Sequence, residues 1–199
     1  MLRSLSRPFR LVFALLALTA LSACGINNIP TYDEAAKAAW GQVENTYQRR
    51  ADLVPNLVET VKGYAKHERD TLTAVVEARA KATQMTIPKD IVNNPDAFRQ
   101  FQQHQDALSS ALARLMVVVE KYPDLKANQN FLSLQSQLEG TENRITVARK
   151  DYIEAVQKLN TEIRTIPGRW WHSLMYSDVK AKETFTAALD AKEAPKVKF

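Results

Sequence analysis

Residues 47–65 place an apolar side chain at every third or fourth position: Tyr47, Ala51, Val54, Val58, Val61 and Ala65. That spacing lines one face of a helix and is incompatible with the two-residue alternation of a strand. The opposite side carries Arg49, Asp52, Asn56 and Glu59 at the same helical spacing. A seam of alternating three and four steps extends in both directions. It runs Trp40, Val43, Tyr47, then the charged Arg50, then Val54, Leu57, Val61 and Tyr64, and on through Leu72, Val75 and Ala78 toward Thr83. Such a seam is of coiled-coil type. A helix of that length would measure on the order of 75 Å. Thr31, with Glu34 three residues on, has the spacing of a capping box at its start.

Pro55 and Gly63 sit inside this pattern. A helix-interior proline removes one hydrogen bond and costs about 3 kcal/mol. The apolar phase is kept across Pro55, so the expectation is one kinked rod rather than two helices. Gly63 either admits a neighbouring helix closely or is simply tolerated. Two further stripes follow. Phe98, Phe101, Gln105, Leu108, Leu112, Leu115, Val119 and Tyr122 form the second, started by Asn93 or Asn94 with Pro95 and stopped by Pro123. Phe131, Leu134, Leu138, Thr141, Ile145, Ala148, Tyr152, Ala155 and Leu159 form the third, continuing to Ile166 and stopped by Pro167 and Gly168. A short last helix is expected over residues 178–191, with Phe185 and Leu189 four apart. Glycine is scarce, at 5 of 199 residues, and strand-like alternation is missing. The expected fold is therefore all-α: one elongated antiparallel four-helix bundle over residues 32–191 with long coiled-coil-like helices, followed by a flexible tail at 192–199.

The amino terminus has its own logic. Residues 1–10 hold Arg3, Arg7 and Arg10 and no acid, and residues 11–21 are apolar. That run is shorter than the roughly 18–20 residues a permanent helical span needs. Positive start, short apolar middle and small residues at the end describe a secretory signal over residues 1–23. It closes on Leu21-Ser22-Ala23-Cys24, which resembles the bacterial lipobox. The resemblance implies that Cys24 is lipidated, with palmitate-type acyl chains, and becomes the new amino terminus. Residues 24–31 then read as a lipidated tether. In a Gram-negative cell, Gly25 in place of an aspartate favours the outer over the inner membrane. The expected placement is the bacterial envelope, facing the periplasm or the exterior.

Charge argues against a nucleic-acid partner. Without Arg3, Arg7 and Arg10 the formal charge of +5 falls to about +2. No Lys/Arg cluster is interleaved with aromatics. Cys24 is the single cysteine, so no internal disulfide can form. His67, His104 and His172 are far apart and occur in no Glu-x-x-His arrangement. Serine stands in no Gly-x-Ser-x-Gly turn, and Gly25, Gly41, Gly63, Gly140 and Gly168 are isolated, so no phosphate-cradling loop exists. No metal, no cofactor and no catalytic role are expected.

What remains is surface and register. Arg50 falls on the seam, and a buried guanidinium needs an acid. Glu139, Glu142 and Glu162 are the candidates for an interhelical polar network. Arg49, Asp52, Asn56 and Glu59 offer a docking face, although a charged outer face is more often merely solvated. Trp170, Trp171 and Tyr176 are either an apolar segment folded over the core or a patch for an interface.

The run Arg49-Arg50-Ala51-Asp52-Leu53-Val54-Pro55-Asn56-Leu57-Val58-Glu59-Thr60-Val61-Lys62-Gly63-Tyr64-Ala65 resembles the hallmark of the LemA family. Leu138-Glu139-Gly140-Thr141-Glu142-Asn143-Arg144-Ile145 with Ala148-Arg149 is similar to its second signature, and Ile166-Pro167-Gly168 to its third. The resemblance implies a bacterial, membrane-anchored, extracytoplasmic helical bundle and brings no accepted reaction with it. Many members keep an amino-terminal transmembrane helix where this chain has the lipobox-like cysteine. The expected role is binding, as an envelope scaffold or adaptor. Its partners would be the membrane, through the acyl chains on Cys24, and an envelope protein; oligomeric state is left open. A passive spacer of the envelope is the alternative, followed by an enzyme with a site assembled between helices.

Overall fold

The structure, a computed structural model, describes residues 25–84 and 90–186. Cys24, the expected signal before it and the expected tail at 192–199 lie outside the described residues. Within them are six α-helices, one 3₁₀ turn and no strands: α1 (Asn28–Tyr64), α2 (Arg69–Gln84), the turn Ile91–Asn93, α3 (Pro95–Val119), α4 (Pro123–Lys126), α5 (Gln129–Glu162) and α6 (Gly168–Met175). Among the described residues no helix is long and apolar enough to cross a membrane.

α1 is the spine. Its 37 residues make a rod about 55 Å long. It begins at Asn28, so part of the expected tether is helical; Pro30 stands in the first turn, where a missing N–H costs nothing. Thr31 is not the cap. Its hydroxyl lies inside the first turn and donates to the Asn27 carbonyl at 2.7 Å. α5 returns along α1 over its whole length. Asn28 donates to Glu162 at one end (3.1 Å), and Asn128 donates to the Tyr64 hydroxyl at the other (2.8 Å). Asn94 and Asn128 cap α3 and α5 through their side-chain oxygens.

The kinked fifty-residue rod does not occur. α1 passes through Pro55 and stops at Tyr64. Ala65 leaves helical geometry (φ −119°, ψ 56°), and α2 folds back along α1. A straight continuation would have left Leu72 and Val75 in water. Folded back, they join Val54, Leu57, Val58 and Val61, together with Leu108, Leu112 and Leu115 of α3. Burying a large aliphatic side chain contributes about 1.5–3 kcal/mol, so the reversal is driven by the same stripe that suggested the rod. Gly63 is exposed with open space around it, so no helix approaches there.

Pro55 has a specific compensation. Lacking an N–H, it cannot bond the Ala51 carbonyl one turn earlier. Arg79, reaching over from α2, donates its Nε–H to that oxygen at 2.8 Å. The gap left by the proline therefore becomes the point that registers α2 on α1.

A second core is aromatic. Trp40 and Tyr47 of α1, Phe98 and Phe101 of α3 and Tyr152 of α5 meet Phe185, with ring centroids 5.0–6.3 Å apart. The expected final helix is absent where Phe185 lies: residues 179–186 form a strap without helix or strand. Side chains of the helices satisfy its backbone. Asn160 exchanges two hydrogen bonds with Lys182 (2.9 and 3.0 Å), Tyr152 donates to the Glu183 carbonyl (2.8 Å), and Gln102 donates to the Thr186 carbonyl (2.7 Å). Phe185 and the Lys182 side chain are buried. Tertiary contacts here outweigh a local helical preference. Leu189, the expected companion of Phe185, lies outside the described residues. The Lys182 ammonium ends 2.7 Å from Asp33, which also accepts Lys37 at 2.8 Å.

Two predictions follow from these locks. Arg79→Ala should cost about 1–3 kcal/mol by leaving the Ala51 carbonyl unpaired. In a Pro55→Ala background, where an N–H is restored, the same change should cost far less; equal penalties in urea melts would sink the compensation. Burial pushes the Asp33 carboxyl up, but hydrogen bonds from Lys182 and Lys37 outweigh it and hold the group below its ordinary value of 3.8. A depressed folded value means stability that is present above the carboxylate range and lost on acidification. Asp33→Asn should flatten the fall in melting temperature between roughly pH 5 and pH 3. An unchanged slope would show that the pair does not hold the strap.

Candidate docking surface

The polar residues of α1 divide by face. Arg50 points inward and is 1% exposed. Its guanidinium ties three helices together: Nη1 donates to Ser109 of α3 (2.6 Å) and Glu142 of α5 (2.9 Å), and Nη2 donates to the Gln105 side chain (2.7 Å) and carbonyl (3.1 Å). The ring of Tyr47 lies 5.0 Å from its carbon centre. Burial pushes the Tyr47 hydroxyl above its ordinary value, so the ring stays neutral beside the cation. Of the acids expected here only Glu142 arrives. Glu139 accepts Gln135 on the exposed side of α5, and Glu162 accepts Asn28. Helical rise explains it, because Glu162 stands about 30 Å along α5 from Glu142. Ser109 and Gln105 were missing from the expected network. Gln105 did leave a signal, as a polar residue on an otherwise apolar stripe.

Arg49, Asp52, Asn56 and Glu59 are all exposed along α1. Their bonds are local: Gln48 donates to Asp52 (2.7 Å), Lys62 pairs with Glu59 (3.3 Å), and the Asn56 carbonyl accepts Thr60 (2.8 Å). Two grooves flank this body. One, of about 540 Å³, lies between α1 and α2 and is lined by Val58, Glu59, Lys62, Lys66, Arg69 and Val76. The other, of about 570 Å³, lies between α3 and α5, with Leu112, Met116 and Leu138 below a rim of Ser109, Glu139 and Glu142. Arg50 thus sits directly behind the second groove, and Glu59 on the edge of the first.

At the other end of α1 the aromatic segment is split. Trp171 and Tyr176 pack inward against Ile29, Leu159 and Ile163, while Trp170 is 63% exposed. The histidines do not converge. His67 is exposed in the α1–α2 turn, His104 is half-buried on α3, and the His172 Nε2 lies 2.8 Å from the Val179 carbonyl. Among the described residues no three His, Cys, Asp or Glu side chains come together.

The family model described as "LemA family" matches residues 39–199, which takes in most of α1, both grooves and the strap. The chain belongs to the LemA family. Magnetosome proteins MamQ 1 and MamQ 2 of Paramagnetospirillum magneticum are each 26% identical to it over 190 residues, covering 87% of this chain and 69% of theirs. Protein LemA of Metamycoplasma hominis is 22% identical over 123 residues, covering 62% of this chain and 52% of its own length. None of these names carries a reaction. In this LemA-family chain the Arg50 cluster orders the helices, and the exposed file and grooves are what a partner could reach.

Arg50→Ala should cost about 2–5 kcal/mol, since it leaves the Gln105 side-chain oxygen and carbonyl without their donor and opens a buried space. Glu142→Gln should cost about 1 kcal/mol or less, because that side chain is 45% exposed and an amide oxygen can still accept. Denaturant melts of the two variants check the ranking; a mild Arg50→Ala would remove the register role.

Proposed function

We propose that this LemA-family chain is a lipid-anchored, extracytoplasmic component of the bacterial envelope that works by binding, as a scaffold or adaptor. In this reading α1, α2, α3 and α5 form the elongated antiparallel bundle, and acylated Cys24 holds it on the membrane. Each buried methylene would contribute about 0.8 kcal/mol to that anchorage. Gly25 after the cysteine favours the outer membrane in a Gram-negative cell.

The observation that carries the reading is the polarity of the body. Gly25, next to Cys24, lies at one end, where a Cβ on it would sit 3.8 Å from Pro167. α1 leads away from that end, bringing Glu59 and the α1–α2 groove about 45 Å from its start. A partner docked on Arg49, Asp52, Asn56 and Glu59 would be held at a set height above the lipid. Lys62, Lys66 and Arg69 beside an apolar floor suit an acidic, amphipathic segment of that partner. The spacer reading draws on one fact: Glu59 and Asp52 already pair with neighbours on their own helix, as a solvated face does.

Photo-crosslinking in living cells separates the two. A crosslinking residue would replace Glu59, and another would replace Lys158 on α5 as the control. One recurrent protein trapped from the first position and not the second is the expected result. Lipid, self-products or scattered proteins from both positions would leave the spacer.

A further inference from the structure

We infer that the outward face of α6 rests in the headgroup layer of the membrane that carries the chain, as a second contact beside the amino-terminal anchor. The inference rests on the membrane placement proposed above and adds a lipid-facing surface to it. Ile166 is 65% exposed, Trp170 63%, Leu174 76% and Met175 53%. Trp170 and Leu174 are one helical turn apart, with Met175 beside them and Ile166 just ahead of the helix. Among the described residues the other exposed large apolar side chains, Tyr64, Val76, Val117, Leu132 and Val147, are dispersed over α1, α2, α3 and α5. Isolated exposed apolar residues need no explanation, whereas a contiguous set does.

α6 is held so that this face cannot turn inward. Its other side, through Trp171, joins Tyr176 against Ile29, Leu159 and Ile163. Gly168 lies against the end of α5, where a Cβ would run into the Glu162 carbonyl oxygen. Only glycine allows α6 to close so tightly on that end.

Place and chemistry identify the occupant. The chain enters the body at Gly25, close to Pro167, and the residues immediately before it include Cys24 and the apolar run 11–21. Whatever fixes that segment in a bilayer brings α6 to the bilayer surface. Tryptophan favours that boundary, with its apolar ring in the acyl region and its N–H among headgroups. Arg164, Arg169 and Lys180 are exposed in the segment that carries the patch, against two acids, the half-buried Glu162 and the exposed Asp178. Cations bordering an apolar face suit anionic phospholipid phosphates. A second copy of the chain fits less well. Four side chains on and beside an eight-residue helix fall short of the roughly 800 Å² per partner of a stable interface.

The test uses the full-length protein from membranes, reconstituted into phosphatidylethanolamine–phosphatidylglycerol vesicles. Flotation reports attachment, and phospholipids spin-labelled near the headgroup quench tryptophan emission. Trp40 is buried in the aromatic core and Trp171 packs inward against Ile29, Leu159 and Ile163, so quenching of about one third of the emission, one tryptophan of three, is expected. Trp170→Phe should abolish that quenching with flotation and the far-ultraviolet spectrum unchanged. Replacing phosphatidylglycerol by phosphatidylcholine should weaken it. Flotation without quenching overturns the inference and leaves the anchor standing. Failure to float removes both. Protection of Trp170 that follows protein concentration instead of lipid would assign the face to a second copy and equally overturn the proposal.

Discussion

A guanidinium buried at the meeting of three helices sets the arrangement of this molecule. Arg50 cannot be withdrawn from water without acceptors, and it finds them on α3 and α5 at once. A slide of either helix by one turn would separate Gln105, Ser109 or Glu142 from the charge. Apolar stripes alone are lenient about such slides, because one leucine fits nearly as well as the next. The polar cluster is what makes one alignment preferable, at the cost of desolvating a cation. One residue along, the carbonyl that Pro55 leaves unpaired does the same for α2 through Arg79. Neighbouring positions of α1 thus specify the places of the other three long helices.

The two ends of the body differ in kind. One end gathers the chain entry, α6 and the strap, with Asp33 and Lys182 closing α1 onto the carboxy-terminal segment. The opposite end holds the α1–α2 turn, α4 and the start of α5, where Tyr122 donates to Glu68 at 3.0 Å. Long helices convert this difference into distance. The chain enters the body at the end that holds α6, and one exposed groove, between α1 and α2, opens toward the other end.

Much of this was legible in the residues. The three–four stripes marked helices where α1, α3 and α5 lie, because helical periodicity is local and repeats over many turns, but the first stripe ran on toward Thr83 where the chain reverses after Tyr64. The LemA motifs led to the family that the comparison then established. Arg50 could be recognised as a charge on an apolar seam in need of an acid. Choosing Glu142 over Glu139 and Glu162 needed the alignment of α5 against α1, and no local pattern contains that. The aromatic segment shows the same limit. Trp170 and Trp171 are adjacent in the chain, yet one is exposed and the other packs inward, and only the docking angle of α6 distinguishes them.

The sequence by itself determined the helical class, the face each long helix buries and the need to satisfy one internal charge. These follow from spacing and from the cost of stranding a polar group, both of which act within a few residues. The tertiary structure decided direction and partnership: that the chain reverses after Tyr64, that Arg79 serves Pro55, and that residues 179–186 remain a strap. Periodicity continues unchanged through a reversal, so the stripe alone does not mark the turn, and only the fold-back gives Leu72 and Val75 a core to join. The strap carries a helix-compatible sequence but finds its hydrogen-bond partners on Tyr152, Asn160 and Gln102, residues brought to it only when the body is assembled.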